Sequence, residues 1–176
     1  MILPKVRDPR LVTIRRGGLL TDPDHHLLAL WAAACAEHVL DLFEAECPGD
    51  LRPRHAIAGA RAWAAGELAM MQSRAAGGHA MGAARPLSGA ARFAAYAAGQ
   101  AACIPHVPEH DLGAAAYAIK AAQAAAAAAG DDGEAAARRE CQWQRDQLPD
   151  PIRALVFDDQ ARRNPICWSV FTEPGP

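Results

Sequence analysis

The sequence has few of the motifs that usually reveal a protein's chemistry. It carries no G-x-S-x-G nucleophile elbow, no phosphate loop, no G-x-G-x-x-G following a strand and no H-E-x-x-H. The hydrolase, nucleotide and metalloprotease readings that rest on those motifs therefore have no support. Its five cysteines, Cys35, Cys47, Cys103, Cys141 and Cys167, are widely spaced and never form a C-x-x-C pair. That argues against a zinc knuckle and a dithiol redox site. No apolar core follows Met1-Ile2-Leu3-Pro4-Lys5, so no signal peptide is read there. The longest weakly polar run, Ala121 to Ala129, is interrupted by Gln123. It falls well short of the roughly 20 apolar residues a membrane helix needs. The expectation is a soluble cytoplasmic protein with no membrane partner.

Positive charge is also scarce. The net charge is −2 and the pI near 6.4, and the arginines are scattered except for Arg15-Arg16 beside Gly17-Gly18. Nucleic-acid binding needs a basic face, and none is visible.

What the chain has is alanine, about a quarter of its 176 residues. Alanine loses no side-chain entropy in a helix and lets helix axes approach closely. The length suits one domain, able to bury about 70% of its unfolded surface. No strand pairs or βαβ alternation appear, so the sequence predicts an all-α fold, a compact bundle or array of five to seven alanine-rich helices. Residues 1–21 read as an irregular arm, 22–160 as the helical core and 161–176 as a tail.

Helix signals divide that core. Asp22-Pro23 opens a helix carried to Glu46 by Leu27, Trp31, Cys35, His38 and Leu42 on one stripe, and Cys47-Pro48-Gly49 stops it. A second helix runs from Arg52-Pro53 to about Arg74, with Gly77-Gly78 as an interruption. Ser88 caps a third to Ile104, and Pro108 opens a fourth that ends at Gly130. Asp131 and Glu134 have capping-box spacing for a helix to Gln147, and Asp150-Pro151 starts a last one to about Gln160. Ala60–Glu67 and Ala91–Gln100 echo one another, although matches between alanine-rich segments arise easily by chance. In the tail, Trp168, Val170 and Phe171 are apolar enough to dock on the core.

The seven histidines are the first candidates for chemistry, since imidazole is the usual base near neutral pH and a common metal ligand. His106 and His110 stand four apart, but Pro108 lies between them and keeps them from forming an H-x-x-x-H clamp. No bound metal and no cofactor are expected. His38, on the apolar stripe, reads as a buried, hydrogen-bonded core residue. His25 and His26 read as solvated in a first helical turn, and His55 as exposed near a helix start. His79 follows two glycines and leads to Arg85, where a bend could present both in a pocket; a plain surface turn is the simpler reading. Arg61, Glu67 and Arg92 read as a solvated face.

Taken together, three blocks resemble a known family. They are Asp22-Pro23-Asp24-His25-His26-Leu27 through Glu37-His38-Val39-Leu40, Arg52-Pro53-Arg54-His55 through Arg61-Ala62-Trp63, and His106-Val107-Pro108-Glu109-His110 through Tyr117-Ala118. Over roughly residues 5–158 the pattern is similar to the Imm-5-like immunity proteins of bacterial polymorphic toxin systems. The resemblance implies a partner that binds and neutralises a cognate toxin, with no catalytic residues to carry over. It places His38, Arg61, Trp63, His79, Arg85, His106 and His110 as the recurring polar and binding positions.

Two other readings stay open. One is a small metal-free enzyme of natural-product metabolism, with His79, His106 and His110 as acid–base groups and Arg85 holding a small anionic ligand. The other is a helical scaffold or oligomerisation domain, with a homodimer as one form of it. Convergence of these side chains in one concave pocket separates the enzyme from the others.

Overall fold

A computed structural model describes residues 3–172. Among them are eight α-helices and no β-strand, an all-α compact helical array. The helices are α1 (Asp22–His38), α2 (Leu40–Glu46), α3 (Arg52–Ala64), α4 (Met70–Ala84), α5 (Gly89–Cys103), α6 (Asp111–Ala128), α7 (Gly133–Asp146) and α8 (Asp150–Arg163). Short 3-10 turns lie at 9–11, 14–16, 108–110 and 164–167.

Two expected helices are each broken in two. The first bends by 44° between α1 and α2 at buried Val39. The bend turns Leu40 and Phe43 into the core against α5, and no proline or glycine marks the position. The second ends at Ala64, because Gly66 adopts φ +78 and closes the helix. Gly66 N–H donates to Trp63 O at 2.9 Å and Glu67 N–H to Ala62 O at 2.8 Å. This is the Schellman arrangement, which satisfies two of the last carbonyls. The same device ends α6 at Gly130, as the sequence suggests.

Gly77-Gly78 does not interrupt anything; α4 runs straight through both. The caps also shift by one residue. Thr21, not Asp22, caps α1 through Asp24 N–H, and Asp132, not Asp131, caps α7 through Ala135 N–H. The echo between Ala60–Glu67 and Ala91–Gln100 marks no equivalent positions, since Gly66 ends a helix and Gly99 lies inside one.

α5 is the central strut, touching α1, α2, α3, α4 and α6. Its Ala94, Ala95, Ala97, Ala98, Ala101 and Ala102 are all buried, so the axes close on methyl-sized contacts. Larger side chains, chiefly Phe43, Leu28, Ile57, Leu112, Ile119 and Ile152, fill the spaces that remain. α8 continues to Arg163, three residues past its expected end. The reason is that the Arg163 guanidinium turns inward, to Glu109 O at 2.8 Å and Asp111 Oδ1 at 2.7 Å. In the tail, Phe171 is buried and Val170 partly so, whereas Trp168 stays 44% exposed. No single helix among the described residues is long and apolar enough to cross a membrane.

Candidate functional site

A cleft of about 370 Å³ opens where four segments meet. The arm supplies Arg7, Arg15 and Arg16, the start of α1 supplies Asp22, His25 and His26, and the end of α3 supplies Trp63. Leu68 and Met70 follow from the α3–α4 turn, and Pro105 and His106 from the α5–α6 connection. The volume lies in the range of small-molecule and anchor-residue pockets.

Each wall is fixed by local chemistry. His25 is buried and its Nε2 donates to Ile104 O at 2.8 Å, tying the start of α1 to the end of α5. Burial lowers its pKa, so the ring is neutral near pH 7. Trp63 meets His25 and His26 edge-on, with centroids 4.7 and 4.8 Å away. Arg7 grips Glu109 through Nε and Nη2 at 2.7 and 2.6 Å and so pins the arm to the α5–α6 connection. Arg15 meets Asp22 at 2.6 Å in an exposed pair of small energetic weight.

Two groups are left unmatched. Arg16 is exposed, and its guanidinium has no hydrogen bond or ion pair among the described residues. His106 has its Nδ1 buried without a hydrogen-bond partner among the described residues. Burial, and then the positive charges of Arg74, Arg16 and Arg7, lower the pKa of His106. The field over the cleft is therefore positive and the His25 and His106 imidazoles are held toward their neutral form, an arrangement that favours an anionic visitor.

The sequence-predicted positions divide sharply. Trp63 and His106 share the cleft. His110 lies behind it, with Nδ1 2.6 Å from Gln100 Oε1, and burial pushes its pKa down to about 4. Arg61 forms a two-pronged pair with Glu37 on the α1–α3 surface, at 2.7 and 2.6 Å. His38 is not in the core: it stacks on Trp143 at 3.6 Å, nearly parallel, and its Nδ1 lies 2.8 Å from buried Glu140. His79 and Arg85 are exposed on α4 and at its C-terminal cap, and neither lines this cleft. Of the four proposed acid–base and anion-holding residues, only His106 is there. Among the described residues no three His, Cys, Asp or Glu side chains gather as a metal set.

Sequence reasoning missed Arg7, Arg16, His25 and His26. Arg15-Arg16 and His25-His26 are visible as doublets, but the first reads only as a charge cluster beside Gly17-Gly18 and the second as solvated. Buried His25 corrects that reading, because α1 turns its first turn toward Ile104 rather than toward solvent. Nothing in the sequence marks Arg7.

Residues 18–151 match the model of the family described as Imm-5 like putative immunity protein. The chain belongs to that family. No curated protein and no solved structure matches it. Membership supports an immunity-type role. The matched residues of this Imm-5 like chain include His25, His26, Trp63 and His106, while Arg7, Arg15 and Arg16 precede them.

Proposed function

We propose that the protein binds and neutralises a cognate bacterial toxin in the cytoplasm, and that the cleft is where it grips the toxin. The observation that carries this reading is the pairing of Trp63 with unmatched Arg16 in one concave surface. Tryptophan and arginine dominate binding hot spots because they combine large contact area with directional charge. Most arginines in this acidic chain already hold carboxylates, among them Arg52, Arg54, Arg61, Arg153 and Arg162. Arg16 holds none, so an acidic element of a partner would meet a cation that has no internal competitor. Neutralisation by occlusion needs no catalytic set, which agrees with the scatter of His79, His106, His110 and Arg85.

The test is co-expression with the products of adjacent genes. A stoichiometric complex and protection from one toxic product are expected, and Arg16→Glu should weaken binding at least about tenfold with the helical spectrum intact. Absence of both complex and protection overturns the reading, as does a complex indifferent to Arg16→Glu. A second reading, a small anionic metabolite, is favoured by the unpartnered Nδ1 of His106. It requires thermal stabilisation by one such anion with no protein partner.

A further inference from the structure

At the other end of α5, about 22 Å away at 1.5 Å per residue, lies a second concavity, of about 460 Å³. Its wall is aromatic. Tyr96 and Tyr117 lie with centroids 5.1 Å apart and planes 27° from parallel. Phe93 stands 6.2 Å from Tyr117, and Trp168 meets Tyr117 edge-on at 5.0 Å. Two cations sit against these rings. Lys120 Nζ is 5.2 Å from the Phe93 centroid and 5.4 Å from that of Trp168, and Arg92 Cζ is 5.5 Å from Tyr96.

Neither cation has a carboxylate partner among the described residues, and no Asp or Glu lines the groove. Arg92 makes only a 3.4 Å contact to Leu87 O. The hydroxyls of Tyr96 and Tyr117 also have no hydrogen-bond partner among the described residues. An aromatic concavity with a few convergent unpartnered polar groups is the usual form of a small-molecule site. The backbone adds a second sign. Trp168 and Ser169 are consecutive non-glycine residues with φ of +59 and +56. Such conformations are costly for bulky side chains and gather at ligand clamps; here they hold Trp168 over Lys120 and Tyr117.

We propose that this groove binds a small planar aromatic anion, with the ring stacked on the Tyr96–Tyr117–Trp168 wall and the acidic group held by Lys120 and Arg92. Charge also sets an upper size. Past Lys120 the surface turns acidic at Asp131, Asp132 and Glu134, so an extended polyanion such as nucleic acid is repelled while a single carboxylate or phosphate is not. The site stands apart from the toxin-binding cleft and does not depend on it.

Calorimetric titration of the intact protein tests the proposal with adenosine monophosphate, indole-3-acetate, adenosine alone and inorganic phosphate alone. At least one probe carrying both ring and anion should bind with Kd below about 1 mM, with adenosine and phosphate each at least about tenfold weaker. Binding by the monophosphate only assigns a nucleotide, and binding by the indole acid only assigns an aromatic carboxylate. Lys120→Gln and Trp168→Ala should each weaken binding about tenfold or more, and Arg16→Glu should leave it unchanged. Lys120 is half-buried in the middle of α6 and holds no hydrogen bond from its side chain among the described residues, so its variant reports on binding even if Trp168→Ala unfolds the tail. Failure of both ring-and-anion probes, or binding indifferent to Lys120→Gln, overturns the proposal.

Discussion

Gly77 of α4 and Gly99 of α5 face each other where the two helices cross. A Cβ on Gly77 would come within 2.7 Å of Gly99 O, and one on Gly99 within 3.0 Å of Gly77 O and 2.5 Å of Met81 Cγ. The helices approach until backbone meets backbone, which only hydrogen in place of a side chain permits. Gly78, one residue on, has nothing within 4 Å of its Cβ position. The two neighbours should therefore respond to alanine with opposite signs. Gly77→Ala should destabilise by about 1–3 kcal/mol through overpacking against a backbone that cannot yield. Gly78→Ala should stabilise by about 0.5–1 kcal/mol through helix propensity alone. Denaturant midpoints of the two variants check this, and equal signs would refute the account.

That crossing also shows what the sequence hides. Composition and the Asp-Pro, Ser and Pro openings make the helices legible, and Gly130 is readable as a terminator. A glycine pair, however, looks the same whether it breaks a helix, as Gly66 does alone, or lets one nestle on another. The bend at Val39 is invisible because the apolar spacing continues across it and tertiary packing of Phe43 decides the matter. The candidate site is less legible still. Trp63 and His106 stand out by residue type, but the arm that completes the cleft is positioned by Arg7 on Glu109, a contact 102 residues apart in the chain. His79 and Arg85 stand out equally and point to solvent, because alanine-rich helices give no periodic cue to which face is outward.

His110 should stay neutral well below ordinary histidine. Burial is the main cause of its lowered pKa of about 4. The unfolded chain takes up a proton near the ordinary histidine value of 6.5 while the folded chain does not. Stability contributed by the neutral ring is thus present above pH 6.5 and is lost as pH falls toward 4. Imidazole resonances followed by NMR should show His110 deprotonated at about pH 5. A titration midpoint above about 6 would contradict the burial argument.

Asp111 should act in the opposite direction. It and Asp159 are both buried and share the single guanidinium of Arg163, which meets Asp111 Oδ1 at 2.7 Å and Asp159 Oδ1 at 2.9 Å. Asp111 Oδ2 has no hydrogen-bond partner among the described residues. Desolvation is the largest influence and raises the Asp111 pKa to about 7. The folded state then keeps a proton that the unfolded state releases near pH 3.8, so this group's contribution to stability falls as pH rises from 3.8 to about 7. The His110 and Asp111 slopes oppose each other, and the wild-type curve alone separates neither. Asp111→Asn, compared with wild type across pH 5 to 8, should gain relative stability as pH rises. A constant difference between the two would dismiss the desolvation explanation.

The Arg7–Glu109 contact ties the arm to the α5–α6 connection beside the cleft, while Arg162 on Asp8 and Arg10 on Asp158 tie it to α8. Glu109 is 1% exposed and Arg7 37%, so the pair lies half in the interior. Arg7→Ala leaves a buried carboxylate with its main partner gone and should cost about 1–3 kcal/mol, less than a fully buried pair because solvent already screens the arginine. Adding Glu109→Gln removes the stranded charge, so the double variant should recover part of that loss. Stability and structure should then separate. In both variants the arm loses its tie to the α5–α6 connection, so amides around Leu11 and Arg16 should exchange faster while those of α5 and α6 remain protected. Any toxin binding that depends on Arg16 should weaken in both variants even where stability has recovered. A double variant no more stable than Arg7→Ala, or an arm exchanging as slowly as in the wild type, would mean that something other than this ion pair holds the cleft together.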